Sequence, residues 1–365
     1  MFSNANHLTS IDLSMFSLKN VRNMYYMFQN CYYLKNIIFS KEEKATNLRL
    51  LYNMFDSCSN LTSFDLTIFK FSLVTNMNDM FKSCSNIKSI LFPKNEKATE
   101  IQNMKSVFSG CNQLTSIDLS GLTFTKTKDV SSLFSGCYNL ENLILPQNEI
   151  AENIVIFDKM FNGCSKLVSI DLSNIIFSNA KSFYNFCSDC INLKNITFGI
   201  GEKATKVEEY EGMFLNCINL RSIDLSGFSF VNAKYLNWMF FNCSNLEELI
   251  LPKDEIATNI EDLSFMFGVC LKLKYIDMSG ISLKNAKYLQ YIFFGCLELE
   301  SITLANDEEI NNIENIVFAF ANCFNLKEIN LSKFNLEKIY DLSYLFYSCH
   351  NLEHVELPYI KAKYY

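Results

Sequence analysis

The sequence predicts an α/β solenoid, with one continuous parallel sheet of about fourteen short strands and short helices on the opposite, convex side. Three observations predict this fold class: a cysteine that returns at a regular interval, a strand pattern after each cysteine, and helical spacing of apolar residues before it. A repeat this short cannot bury its own apolar face, whereas stacked repeats share one core. We therefore expect residues 1–365 to form a single solenoid.

A longer and a shorter interval between cysteines alternate along the whole chain. The step from Cys31 to Cys58 is one residue longer than the step from Cys58 to Cys84, and this alternation continues to Cys349. Ala5 stands in the first copy where later copies have cysteine, which gives fourteen copies, or seven tandem units of two copies each. We interpret the column as small buried packing residues, because equivalent positions offer no pairing pattern for disulfides. Its members are Cys31, Cys58, Cys84, Cys111, Cys137, Cys164, Cys190, Cys217, Cys243, Cys270, Cys296, Cys323 and Cys349.

The copy at residues 213–225, MFLNCINLRSIDL, shows how one repeat is organised. Apolar residues three apart, from Phe214 through Cys217, predict the end of a helix. The spacing then becomes two, with Ile223 and Leu225 predicted to point inward from a strand and Asp224 outward. The connector at residues 233–243 repeats the helical spacing before the next cysteine.

The exposed centres of the predicted strands alternate between aspartate and an apolar residue or threonine. With neighbouring strands about 4.8 Å apart, an acidic side chain recurs about every 10 Å along the face. One interpretation is a ligand-binding face. The other is that the aspartates are spaced to avoid like-charge neighbours and to bond nearby serines and backbone. The candidate ligand-binding residues on the concave face are Asp65, Asp118, Asp171, Asp224 and Asp277.

Composition excludes several classes of function. The net charge is −7, with 32 basic and 39 acidic residues interleaved, which argues against nucleic-acid binding. The chain has no apolar run long enough for a transmembrane segment and no export signal at Met1. It also lacks catalytic and phosphate-binding motifs, so we expect no enzyme activity and no cofactor. His350 and His354 fall on different predicted elements, so we expect no metal site.

Both ends of the sequence fall inside a repeat. Met1 and Phe2 already correspond to the MF pair of a copy, and the last residues stop within a connector. Solenoids need polar caps at their ends. We therefore expect a solenoid without natural caps, which is a piece of a longer protein or associates end to end.

The repeat resembles a known family. LRSIDL at residues 220–225 and LTSIDL at residues 114–119 have the strand pattern of leucine-rich repeats, and the fuller pattern MF-x-x-C-x-x-L-x-x-I-D-L-S resembles the BspA-like leucine-rich repeat surface proteins. This resemblance implies a right-handed leucine-rich-repeat solenoid that binds proteins or mediates adhesion at a microbial or protist cell surface. It implies no particular binding residues, because members share the scaffold and differ in ligand.

Two hypotheses of function follow. The first is a non-enzymatic adhesion scaffold at the cell surface, which binds a host, neighbouring-cell or matrix protein through its concave sheet. The second is a cytoplasmic scaffold that assembles through its uncapped ends; the missing export signal and the many thiols favour it. The sequence leaves the ligand unidentified in both.

Overall fold

The computed structural model describes residues 1–40, 44–94, 97–147, 149–199, 201 and 203–358. The chain forms two compact units. Met1–Ala180 and Asp189–Gly201 make up the first unit, while Lys181–Ser188 and Glu202–Tyr365 make up the second. Each unit is a stack of coils of the predicted length, and each coil carries one short strand.

In both units the strands pair in twos, in parallel. The first unit contains Ser10–Leu13 (β1), Asn36–Phe39 (β2), Ser63–Asp65 (β3), Ser89–Leu91 (β4), Ser116–Asp118 (β5), Asn142–Ile144 (β6), Ser169–Leu172 (β7) and Asn195–Phe198 (β8). The second contains Ser222–Asp224 (β9), Glu248–Ile250 (β10), Tyr275–Met278 (β11), Ser301–Leu304 (β12), Glu328–Asn330 (β13) and His354–Glu356 (β14). The fourteen predicted strands are confirmed.

The predicted continuous sheet is wrong, because hydrogen bonding joins only β1 to β2, β3 to β4, and so on to β13 and β14. Partners within a pair are separated by the shorter of the two repeat intervals, as Ser10 is from Asn36. The connector that leads from a strand to the opposite side of the coil is one residue longer after the second strand of each pair than after the first strand. The path from Asn36 to Leu50 exceeds that from Ser10 to Asn23 by this one residue. The sheet is interrupted on the side of this longer connector.

A second ladder on the other side of each coil is continuous within its unit. It consists of single-residue parallel bridges that cross both the shorter and the longer step. The first unit joins Asn23, Leu50, Asn76, Asn103, Asp129 and Ile156, and the second joins Ser182, Glu209, Tyr235, Asp262, Tyr288 and Asn315. This ladder sets the stacking of the coils where the strand pairs do not.

The prediction of short helices is wrong. Among the described residues, the structure has one helical segment, the 3-10 turn Leu66–Ile68. In residues 233–243 the backbone N–H groups of Leu236, Trp238 and Phe240 donate to the next coil, at 2.9–3.0 Å, instead of to their own segment. Trp238 has a φ of 62° and Asn242 a φ of 61°. A right-handed helix requires negative φ throughout, so these residues form successive tight turns.

The tight turns explain why the apolar spacing suggested a helix. Met239 donates its N–H to the carbonyl of Leu236, and Cys243 to that of Phe240. Each turn brings a residue three positions on back to the same side. Leu236, Met239, Phe240 and Cys243 are therefore all buried, as one face of a helix would be. Periodicity alone cannot distinguish the two structures.

Phenylalanine and cysteine columns form the core of each unit. In the first unit the rings from Phe2 to Phe161 stack with centroids 5.2–6.2 Å apart, and in the second those from Phe214 to Phe346 stack at 5.3–5.9 Å. Each column thiol donates to the carbonyl of the phenylalanine column in the preceding coil, as Cys58 does to Phe28 at 3.1 Å. Cys187 takes that position for Cys217. The interpretation of cysteine as a packing residue agrees with this structure.

Burial makes the column thiols poor nucleophiles. Desolvation raises the pKa of Cys137 and of Cys243 to about 12. Thirteen of the fourteen cysteines are buried, and Cys349 is half-buried. The thiolate is the reactive form, so thiols with raised pKa values, such as Cys137 and Cys243, react poorly in the folded chain.

We expect Ellman's reagent at pH 8 to label Cys349 first and the other thirteen thiols only after unfolding. The early phase should disappear in Cys349→Ala.

The free energy of unfolding should fall as pH rises above about 8.5, because unfolded thiols lose protons there while the folded ones keep theirs. The expected slope is about 1.4 kcal/mol per pH unit for each such thiol. Urea unfolding between pH 7 and 10 measures this slope. Rapid labelling of Cys217 in the folded chain would contradict the packing described here.

Candidate binding face

The five predicted site residues lie at the strand positions expected for them. Asp65, Asp118 and Asp171 are the third residues of β3, β5 and β7 in the first unit, and Asp224 and Asp277 are the third residues of β9 and β11 in the second. All point away from the core, and Asp118 is the most covered of them. Within each unit they share one face of the strands. Their role in binding stays a prediction.

Apolar residues lie directly beside these aspartates. Register pairs Asp65 with Leu91, Asp118 with Ile144, and Asp224 with Ile250. These aliphatic side chains are 57%, 50% and 51% exposed. Asp171 and Asp277 instead pair with Thr197 and Thr303. The predicted alternation of acidic with apolar or threonine side chains is therefore present on the face of each unit.

Each aspartate also closes the turn that follows its strand. Oδ1 of Asp118 accepts the backbone N–H of Ser120 at 2.9 Å, and the same bond links Asp171 to Ser173 and Asp224 to Ser226. This is the local side-chain-to-backbone bond that aspartate and asparagine favour in turns. Asn330 makes it without a charge, accepting from the N–H of Ser332 at 2.8 Å. One carboxylate oxygen of each aspartate therefore has a structural role, as in the interpretation that these aspartates bond nearby serines and backbone.

The other carboxylate oxygen meets a lysine at two positions. Nζ of Lys94 lies 2.6 Å from Oδ2 of Asp118, and Nζ of Lys253 lies 3.3 Å from Oδ2 of Asp277. Partial burial acts to raise the pKa of Asp118, but the hydrogen bonds from Lys94 and Ser120 outweigh it and lower that pKa overall. Hydrogen bonds from Ser279, and then from Lys253, lower the pKa of Asp277. Both ion pairs span the interruption between one strand pair and the next.

These interruptions open clefts on the face. A cleft of about 730 Å³ lies between β2 and β3, lined by residues that include Ile38, Phe64 and Asp65. Another of about 390 Å³ lies between β12 and β13. These clefts were not predicted from the sequence. The sequence signal for them was the strict alternation of a longer and a shorter repeat interval, because the interruptions between strand pairs fall at the longer interval.

Other candidate groups of the sequence do not assemble into a site. His350 stacks on Phe324, whereas His354 lies on β14. No group of three metal-ligating side chains occurs among the residues that the structure describes. The one tryptophan, Trp238, begins a stack of aromatic rings spaced 3.9–5.0 Å apart, which continues through Phe265, Tyr291, Phe318 and Tyr344. In the described part of the chain, no helix is long and apolar enough to cross a membrane.

A glycine allows the connector that carries Lys94 to approach the strand end. A Cβ atom on Gly121 would overlap the carbonyl oxygen of Pro93 and lie 3.2 Å from the Cα of Lys94. Gly280 faces Pro252 and Lys253 in the same way. At the equivalent Gly227, a Cβ would have no neighbour within 4 Å. Glycine is thus required beside the two lysine-bearing connectors.

We expect Gly121→Ala to destabilise the chain by about 2 kcal/mol, in the range that overpacking costs. Gly227→Ala is the matched control, because it changes the same repeat position in open space, and it should shift stability by no more than about 0.5 kcal/mol. The thermal unfolding midpoints of both variants measure the difference. Equal effects would show that the connector does not pack on Gly121.

The chain matches two family models. The model described as "BspA type Leucine rich repeat region (6 copies)" matches residues 131–289 and 283–363, and "Mycoplasma protein of unknown function, DUF285" matches residues 1–50 and 49–175. Among curated proteins, the CD180 antigen of Mus musculus is 26% identical over 296 residues, which cover 78% of this chain. The chain spans 42% of the length of that protein.

A solved structure supports the leucine-rich-repeat fold. A leucine-rich repeat protein from Bacteroides ovatus aligns with a TM-score of 0.52 and 20% identity, over 97% of this chain and 85% of that one. A leucine-rich cell surface protein from Faecalibacterium prausnitzii aligns with a TM-score of 0.41 and 18% identity, over 99% and 82%. Since the BspA-type model matches more than half of its length, the chain belongs to the BspA-type leucine-rich repeat family.

Proposed function

We propose that this chain is a non-enzymatic scaffold at a cell surface, which binds a protein of a host, a neighbouring cell or the matrix. The proposed binding surface is the strand face of its units, which carries Asp65, Asp118, Asp171, Asp224 and Asp277. Repeat scaffolds of this family type are typical of protein–protein interaction. The observation that carries the proposal is the pairing of half-exposed aliphatic residues with aspartates on the strands of each unit, at Leu91 and Ile144 in the first unit and at Ile250 in the second.

The chemistry of the face suits a protein partner. Exposed aliphatic side chains supply area that gains from burial, while the carboxylates favour partners with complementary charge and disfavour others. The aspartate turns and the strand pairing hold both kinds of side chain in place before binding, which lowers the entropic cost of association. Threonine in place of an aliphatic residue at Thr197 and Thr303 varies the surface along the stack.

The buried thiols argue against a catalytic role for the cysteines. The raised pKa values of thiols such as Cys137 and Cys243 keep these groups protonated near neutral pH, and the nucleophilic form is the thiolate. No histidine lies on the described strand face of the first unit, where a general base would be needed.

The test replaces Asp118, Asp171 and Asp224 together by asparagine. Asparagine keeps the Oδ1 acceptor, as Asn330 does, and removes the charge. Alanine would remove the turn bond as well and cost about 1 kcal/mol per site. We expect binding to a panel of immobilised matrix proteins to weaken about tenfold or more, and the unfolding midpoint to stay within a few degrees.

The matched control is the triple variant Asp129→Asn, Asp262→Asn and Asp341→Asn. Each of these aspartates accepts the N–H of the serine two residues on, at 2.7–2.8 Å, but lies off the strands. The two triple variants change net charge equally. If both weakened binding alike, or neither did, the strand face would not be the binding surface.

Protease treatment of intact cells that express the native gene tests the location. Because we propose an exposed scaffold, peptides of this chain should be released before lysis, and mass spectrometry identifies them. A known cytoplasmic protein from the same cells serves as the lysis control. Release of this chain only after lysis would favour the cytoplasmic scaffold instead.

A further inference from the structure

The interruption between β6 and β7 holds an aspartate without an ion pair in the described part of the chain. Asp171 is exposed, and its Oδ1 accepts the N–H of Ser173 at 2.9 Å. We propose that this interruption is the binding position for a lysine side chain of the protein partner. The inference rests on the proposed function and names the chemistry that one part of the face recognises.

The chain itself shows how a lysine fits such a position. At the preceding interruption, between β4 and β5, Lys94 reaches across to Asp118 at 2.6 Å. At the equivalent interruption of the second unit, Lys253 reaches Asp277 at 3.3 Å. In both cases the lysine follows the second strand of one pair, and the aspartate is the third residue of the first strand of the next pair. An ammonium group is therefore the natural partner of this carboxylate.

A glutamine replaces the lysine at the interruption between β6 and β7. Gln147 follows β6 where Lys94 follows β4. Its Oε1 accepts from Nδ2 of Asn174 at 2.7 Å and from Oγ of Ser173 at 3.4 Å, so its side chain is engaged by the turn beyond β7. Glutamine carries no charge to balance Asp171. The carboxylate thus keeps its negative charge for an external cation.

An aliphatic side chain lies beside the same interruption. Ile144 is the third residue of β6, as Asp171 is of β7, and it is 50% exposed. A lysine combines a long apolar stem with a charged head, so its stem can pack on Ile144 while the ammonium reaches Asp171. An acidic and an aliphatic side chain are therefore combined here, as a lysine requires.

Three variants with the same change in net charge test the proposal. Asp171→Asn removes the negative charge, Gln147→Lys places a lysine at the repeat position of Lys94, and Asp129→Asn removes a similar turn-forming charge outside the strands. The probe is the tripeptide acetyl-Leu-Lys-Leu-amide, with acetyl-Leu-Gln-Leu-amide as its uncharged control. Titration of the full chain is followed by NMR at the amide of Ser173.

We expect saturable shifts of the Ser173 amide with the lysine peptide. Asp171→Asn and Gln147→Lys should each raise the dissociation constant at least fivefold, and Asp129→Asn less than twofold. Equal losses in all three variants would show non-specific charge attraction and overturn the proposal, as would unchanged binding in Gln147→Lys. Tighter binding of acetyl-Leu-Arg-Leu-amide would overturn the assignment to lysine.

The outcome is separable from that of the proposed function. The triple asparagine variant reports on binding of a whole protein to the strand face, whereas the tripeptide reports on Asp171 alone. Loss of protein binding with no tripeptide site would overturn only the lysine assignment. A tripeptide site without any effect on protein binding would instead overturn the proposed role of the face.

Discussion

Each unit depends on hydrogen bonds between the backbones of successive coils. In the tight turns of residues 233–243, the N–H groups of Leu236, Trp238 and Phe240 donate to the next coil. The single-residue bridges continue the same stacking. The carbonyl of Phe28 accepts twice, from the N–H of Cys31 and from the thiol of Cys58. A cysteine suits this place because its side chain is small, largely apolar and still able to donate a weak hydrogen bond. The cysteine and phenylalanine columns are therefore one arrangement.

The aspartates of the strand face also combine two roles. An aspartate there closes a turn with one oxygen and presents the other to its surroundings, where Lys94 or Lys253 binds it in two cases. Asn330 shows that the turn and the charge are separable. The charge is thus not required by the fold, and its recurrence on the strand face of each unit, beside half-exposed aliphatic residues, is the physical basis for proposing that the strand face binds a protein.

Much of the fold could be predicted because the repeat is short and regular. The strands lie where the period-two pattern placed them, and Asp118 and Ile144 are neighbours on an exposed face as predicted. The helices could not be predicted correctly, because tight turns and a helix both return to one side every three to four residues. The decision rests on the positive φ of Trp238 and Asn242, a conformation that an aromatic residue seldom adopts.

The sequence by itself determined the number of strands, the inward and outward residues and the cysteine column, since these follow from spacing that every copy repeats. Only the tertiary structure decided that the strands pair in twos, and that Lys94 meets Asp118 while Gln147 bonds the turn beyond β7. These features depend on how one coil stacks on the next. A one-residue difference in connector length becomes an interruption in the sheet only when the coils are in contact.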